Sequence, residues 1–251
     1  MRRTFSSFVV LLFWCLEPGI SSANGQLDLF ETDLSIAEDS ELETDRDAFT
    51  PATSTVGQET TVFETSYSFI DNRSVADTHS FPEVLLRYGV SDRIELRLGW
   101  NYEVGGTGDI VSGSEVSEAA GGDIERESQA LYGLKASITE QDDWVPRSAI
   151  ILHGYTPTQG EIPATDVVAT YVFGWELPKR WRLDSSMRYG TEHGVDDTFN
   201  QWAPSVVVRV PLGEKWQVHA EYFGIISDGA EEDVVRSFFS HGAHCLLTEN
   251  L

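Results

Sequence analysis

The run Arg93-Ile94-Glu95-Leu96-Arg97-Leu98-Gly99-Trp100-Asn101-Tyr102 decides the fold. Ile94, Leu96, Leu98, Trp100 and Tyr102 share one parity; Arg93, Glu95, Arg97, Gly99 and Asn101 share the other. A period of two held over this length means a β-strand, because a helix would scatter both sets around its circumference. The same split recurs in Arg180 to Tyr189, where Trp181, Leu183, Met187 and Tyr189 oppose Arg180, Arg182, Asp184 and Arg188, and in Trp216 to Tyr222, where Val218 and Tyr222 oppose Gln217, His219 and Glu221. Weaker alternation covers 61–69, 82–90, 128–138, 147–155, 166–175, 201–210 and 235–247, so ten strands are predicted.

Strand length separates the architectures these strands could build. Soluble strands average about five or six residues, whereas about ten residues tilted near 40° rise roughly 25 Å, the height of an outer-membrane apolar band. The long strands predict an all-β, antiparallel up-and-down transmembrane barrel. Composition agrees. The chain has 251 residues, 21 Gly and only 2 Met, and 41% of it is hydrophobic, too much for a disordered chain. No stretch reaches the roughly eighteen apolar residues of a spanning helix, but a strand facing lipid on one side and water on the other averages to neutral hydropathy. A net charge of -24 excludes a nucleic-acid partner, whose phosphates need a basic surface.

The N-terminus reads as an address. Arg2 and Arg3 precede the apolar run Phe8 to Leu16, Pro18-Gly19 breaks it, and Ser21-Ser22-Ala23 suits a signal peptidase, which predicts a signal peptide over 1–23. Its removal takes Cys15 and leaves Cys245 alone, so no disulfide framework is expected. Residues 24–59 carry ten acids and one base, Arg46, and read as a solvated, largely irregular periplasmic leader. The barrel is predicted over 60–251.

Connections suggest an orientation. Ser91-Asp92, Pro178-Lys179, Gly213-Glu214-Lys215 and the slightly longer Thr139 to Val145 alternate with links at 70–80, 103–127, 156–166, 190–200 and 227–235. Short periplasmic turns and long external loops would alternate in this way. The long links hold eighteen acids and two bases, so the excess negative charge is expected outside or in the leader. Asp228, Glu231, Glu232 and Asp233 form the densest acidic cluster, at a spacing that matches no calcium-loop pattern. Trp144, Trp175, Trp181 and Trp216 flank the short turns, while Phe69, Trp100, Tyr102, Tyr155, Tyr189, Trp202 and Tyr222 lie toward the long links. Two aromatic belts at the lipid interface are expected from that placement.

Catalytic constellations are thin, and the chain does not read as an enzyme. It has no Gly-x-Ser-x-Gly elbow, no phosphate-binding Gly loop and no paired Cys-x-x-Cys, and neither a metal nor another cofactor is expected. His241 and His244 fall on opposite faces of a strand and cannot share a metal. Asn72-Arg73-Ser74 has the form of a glycosylation sequon without further support. Alternation places Glu83, Arg87, Glu95, Arg97, Arg182, Asp184, Arg188, Arg209, His219 and Glu221 on the lumen wall. Opposed charges there set up a transverse field in a pore, or lock a plug if they pair across the lumen.

Several stretches resemble the transporter family labelled the MetA pathway of phenol degradation: Thr44-Asp45-Arg46-Asp47 through Gly57-Gln58-Glu59, Leu85-Leu86-Arg87-Tyr88-Gly89-Val90-Ser91-Asp92-Arg93-Ile94-Glu95-Leu96-Arg97, Glu221-Tyr222-Phe223-Gly224, and Gly242 with Leu246-Leu247-Thr248. That family is related to the outer-membrane channel that secretes functional amyloid. The resemblance spans essentially the whole chain after the signal, and implies a twelve-stranded outer-membrane barrel with a transport role. The amyloid channel has a helical, oligomerising N-terminal region; Leu27, Leu29, Leu34, Ile36 and Leu42 show no sustained heptad here. The reading is an outer-membrane channel or transporter whose partners are membrane lipid and small, aromatic or hydrophobic solutes. The alternatives are a closed structural or adhesion barrel with functional external loops, and a lumen-wall hydrolase built on His219. Because the tenth strand runs out through Leu246-Leu247 rather than ending on an aromatic residue, the chain is expected to stop before its barrel is complete.

Overall fold

The computed structural model describes residues 43–46, 48–70, 77–106, 124–159, 164–193, 198–228 and 234–245. The signal peptide, the leader up to residue 42, the sequon, Glu231, Glu232 and Asp233, and the chain end after Cys245 lie outside the described residues.

Ten strands follow one another: β1 Thr61–Ile70, β2 Thr78–Ser91, β3 Ile94–Gly106, β4 Ile124–Thr139, β5 Arg147–Gln159, β6 Asp166–Leu177, β7 Trp181–His193, β8 Thr198–Leu212, β9 Trp216–Asp228 and β10 Val234–Cys245. Each pairs antiparallel with the next, in sequence order, and the sheet curls into a half-barrel. Among the described residues β1 and β10 do not pair with each other, so the outer sides of both are edges.

The tight turns have local causes. Asp92 and Arg93 join β2 to β3, and a 3-10 turn at Pro178–Arg180 joins β6 to β7. Gly213 opens the β8–β9 turn at φ 78°, a conformation that costs a residue without Cβ little.

All ten predicted strands are present, but most are longer than the alternation suggested. β4 begins at Ile124 rather than 128, and the β7–β8 ladder continues to His193 opposite Thr198. Backbone pairing therefore persists beyond the apolar segments, and residues read as link acids, among them Glu103, Glu127, Asp166 and Asp228, sit on strand ends. The strict alternation of long and short links does not survive this extension. The β4–β5 connection at 140–146 is longer than the β7–β8 connection at 194–197.

Polarity is inverted relative to a soluble sandwich. On β3 the apolar parity is the exposed one, with Leu98 58% exposed, while Glu95, Arg97 and Asn101 are buried. Arg87, Lys135, Glu64 and Glu95 are among the largest fully buried side chains, whereas Tyr88, Leu96, Tyr132, Val167, Tyr222 and Phe239 are all exposed. The concave face is not uniformly polar. Ala149 and Ile151 on β5 pack with Val172 on β6, and Ala203, Ile225 and Phe238 form a second apolar cluster across β8 to β10. Of the aromatics expected to form the two belts, Trp100, Trp144, Trp181, Trp202, Trp216 and Tyr222 are exposed, as a position on the outer surface requires. Tyr155, also expected in a belt, is instead buried: it shares the parity of the buried Ile151 and exchanges a hydrogen bond with His153 at 3.2 Å.

Candidate functional site

Of the residues predicted to line the lumen, Glu83, Arg87, Glu95, Arg97, Arg182, Asp184, Arg209, His219 and Glu221 are buried on the concave face, and Arg188 is half-buried. They do not face an empty space. The described residues of 43–57, all but Asp47 of a segment expected to be part of a solvated leader, run along the concave face and bury Thr44, Thr50, Ala52, Thr53 and Val56. Acid-rich composition suggested solvation, but the cations of the inner wall need partners, and burying either set alone would cost several kcal/mol per ion.

Asp45 is the centre of the first anchor. Arg97 Nη2 lies at 2.8 Å, Lys135 Nζ at 3.3 Å and Arg87 Nη2 at 3.8 Å from its Oδ2, while Oδ1 accepts the Ala52 amide at 2.7 Å. Burial by itself would raise the Asp45 pKa, but the cations of Lys135, Arg87 and Arg97 outweigh it and hold the carboxyl well below its usual range. Glu43 is the second anchor, paired with Arg182 and with Arg147 at 3.3 Å. Burial pushes it up too, yet Arg182, Arg147, the Ser54 hydroxyl and Arg209 bring it down to about 2.

The wall also reads the backbone of this segment. Glu221 accepts the Phe49 amide at 2.9 Å and the Thr50 amide at 2.6 Å, and Thr50 Oγ1 lies 2.7 Å from Glu221 Oε1 and 2.8 Å from Ser205 Oγ. Glu95 accepts the Val56 amide at 2.9 Å while also pairing with Arg87 at 2.8 Å. Glu64 accepts from Thr44 Oγ1 at 3.1 Å and the Asp45 amide at 3.2 Å. Arg209 bridges Asp184 at 2.7 Å and the Thr50 carbonyl at 3.2 Å. A buried loop needs its peptide groups satisfied, and here wall carboxylates take the place of a neighbouring strand.

Two further contacts fix the register. The Phe49 ring stacks on Phe223 with centroids 4.3 Å apart and carries the Arg188 guanidinium 4.3 Å from its centre, a ring and a cation both suited to its π face. At the short-turn end, Gly89 lets the segment pass, since a Cβ there would stand 2.0 Å from the Gly57 carbonyl oxygen. The Gly89 carbonyl accepts the Glu59 amide at 2.8 Å.

Sequence reasoning missed six wall or segment residues that carry this arrangement: Glu64, Lys135, Arg147, Glu43, Asp45 and Phe49. Glu64 and Lys135 lie on predicted strands and could have been found by extending the parity of Val62 and Gly133. Glu43 and Phe49 had no periodicity to reveal them. His219 and Glu221 share a face as expected, but both oxygens of Glu221 are engaged by the segment and Ser240, and the His219 ring packs edge-on to His244 at 5.5 Å.

Among the described residues no helix is long and apolar enough to cross a membrane, which says nothing of crossing by strands. No curated protein and no solved structure matches the chain. Residues 44–250 match the family described as "Putative MetA-pathway of phenol degradation", a span that includes the interior segment from Thr44 onward as well as all ten strands. The chain belongs to that family.

Proposed function

We propose that the protein is an outer-membrane β-barrel that carries small solutes, and that residues 43–57 hold it closed at rest. The observation that carries this reading is the inverted polarity: the convex face is apolar with aromatic residues near the strand ends, and the concave face is lined by buried ions. A hydrocarbon exterior suits the first, and only a pore or a polar plug suits the second. The family assignment supports a membrane barrel of this kind. A closed structural barrel is the second reading, favoured by how completely the segment's amides and carboxylates are paired with the wall. A hydrolase built on His219 is less well supported, because Glu221 is already occupied.

Planar bilayers separate the two main readings. The wild-type chain should show rare, brief openings, and the Glu43→Gln/Asp45→Asn variant should conduct steadily. Absence of current from both, in preparations that retain a heat-modifiable barrel, would favour the closed barrel and overturn the transport reading.

A further inference from the structure

Resting on the channel reading, we propose that the interior segment occupies the solute's own binding site, and that the solute is a small aromatic carboxylate. The segment presents two carboxylates and one aromatic ring within seven residues, Glu43, Asp45 and Phe49, and each is met by its own set of wall residues. Asp45 enters a cradle of Arg87, Arg97 and Lys135; Glu43 enters one made by Arg147 and Arg182; the Phe49 ring meets Phe223 and Arg188. Guanidinium forks recognise any carboxylate, and a stacked ring with a cation over it recognises any arene.

Two observations show that these receptors have capacity beyond the segment. Arg97 is buried, and its Nη1 has no hydrogen-bond acceptor among the described residues, while its Nε meets only the Glu95 carboxylate, at an ion-pair distance of 3.7 Å. A buried guanidinium with an unused donor is the feature expected of a subsite that accepts a further anion. Arg188 meets Phe49 through the ring face, an interaction that a free arene of similar size would reproduce. When the segment leaves, its two carboxylates leave with it, and the Asp45 cradle loses the carboxylate that Lys135 and Arg97 share, while Arg87 keeps Glu64 and Glu95. A neutral phenol offers the ring site an arene but brings no charge to replace the segment's carboxylates, whereas a benzoate-like anion carries both a ring and a carboxylate. Solute binding and segment docking are therefore mutually exclusive, and the solute opens its own path by capturing the undocked state.

The test uses the full chain folded in detergent and reads hydrogen exchange of the peptide covering 43–57, with a β7–β8 peptide as internal reference. Benzoate at about ten times its dissociation constant should accelerate exchange of the segment roughly tenfold, because it multiplies the undocked population by one plus the ratio of concentration to that constant. Acetate, a carboxylate without a ring, and phenol, a ring without a charge, should each change the rate less than about twofold under the same conditions. Phenol matching benzoate, or no acceleration by benzoate up to the solubility limit, would overturn the proposal. As a second measurement, calorimetric titration of the Glu43→Gln/Asp45→Asn variant with benzoate should show binding at least about tenfold tighter than to the wild type, since the competitor has been weakened; equal or weaker binding would overturn it as well. Neither readout requires a current, so benzoate-driven release without conductance would contradict the channel reading and leave this assignment standing.

Discussion

Replacing Asp45 by Asn should release the interior segment without unfolding the barrel. Asp45 Oδ2 is shared by Arg97 at 2.8 Å, Lys135 at 3.3 Å and Arg87 at 3.8 Å, and both Lys135 and Asp45 are almost completely buried. Removing one partner of a buried ion pair costs about 3 to 5 kcal/mol, because the remaining charges stay desolvated and lose their counter-ion. Arg87 retains Glu64 and Glu95, so the loss falls mainly on Lys135 and Arg97 and on the Asp45–Ala52 turn. At about 1.4 kcal/mol per decade, the docking equilibrium should shift by roughly two to four decades. Hydrogen exchange at the Phe49, Thr50 and Val56 amides, which donate to Glu221 and Glu95, should accelerate by that factor, while the strand amides keep their protection. Glu140→Gln provides the contrast. Its partner Arg93 lies at 3.3 Å with both side chains more than two-thirds exposed, and a surface pair of this kind contributes less than about 1 kcal/mol. Unchanged exchange over 43–57 in the Asp45→Asn variant, with the barrel still heat-modifiable, would refute the reasoning.

Three other outcomes follow from the same geometry. Leu98→Arg on the exposed parity of β3 should cost roughly 2 to 4 kcal/mol of insertion into bilayers, while Arg97→Leu on the buried parity should insert normally and loosen the segment; equal insertion defects would mean the faces are reversed. Gly89→Val should displace the segment at Gly57 and speed exchange of the Glu59 amide, because the added Cβ would meet the Gly57 carbonyl oxygen at 2.0 Å; unchanged protection there would contradict the close approach. Glu43 is held at about 2 against an ordinary 4.5, so its contribution to docking is fully present above pH 4.5 and lost as pH falls toward 2. The open fraction in bilayers should therefore rise on acidification only within that range, and a transition centred between pH 6 and 7 would show that another group controls the segment.

The wall was legible in the sequence because a strand's two-residue period is a strong signal wherever the two faces differ in polarity. On β3 and β7 alternation named Glu95, Arg97, Arg182 and Asp184 by parity alone. Legibility faded on β6, where Val167, Val168, Val172 and Phe173 make both faces apolar and the buried set cannot be told from the exposed set by pattern. Tyr155 was assigned to a belt from its position along the strand, although parity with Ile151 already placed it inside. The interior segment was not legible, since its described residues form no regular element and its acids read as solvated. The cue lay instead in the wall. Arg87, Arg97, Lys135, Arg147, Arg182 and Arg209 share a concave face whose own carboxylates also serve other donors, and that imbalance called for acids from elsewhere in the chain.

The central claim, that residues 43–57 lie inside the barrel, is tested most directly by covalent trapping. Thr50 Oγ1 and Ser205 Oγ are 2.8 Å apart although the residues are far apart in sequence, which brings the two side chains within disulfide reach. A Thr50→Cys/Ser205→Cys variant, with the native cysteines replaced, should form the cross-link in most folded molecules on mild oxidation. A heat-modifiable barrel in which both thiols stay free and react with a soluble maleimide would contradict the account.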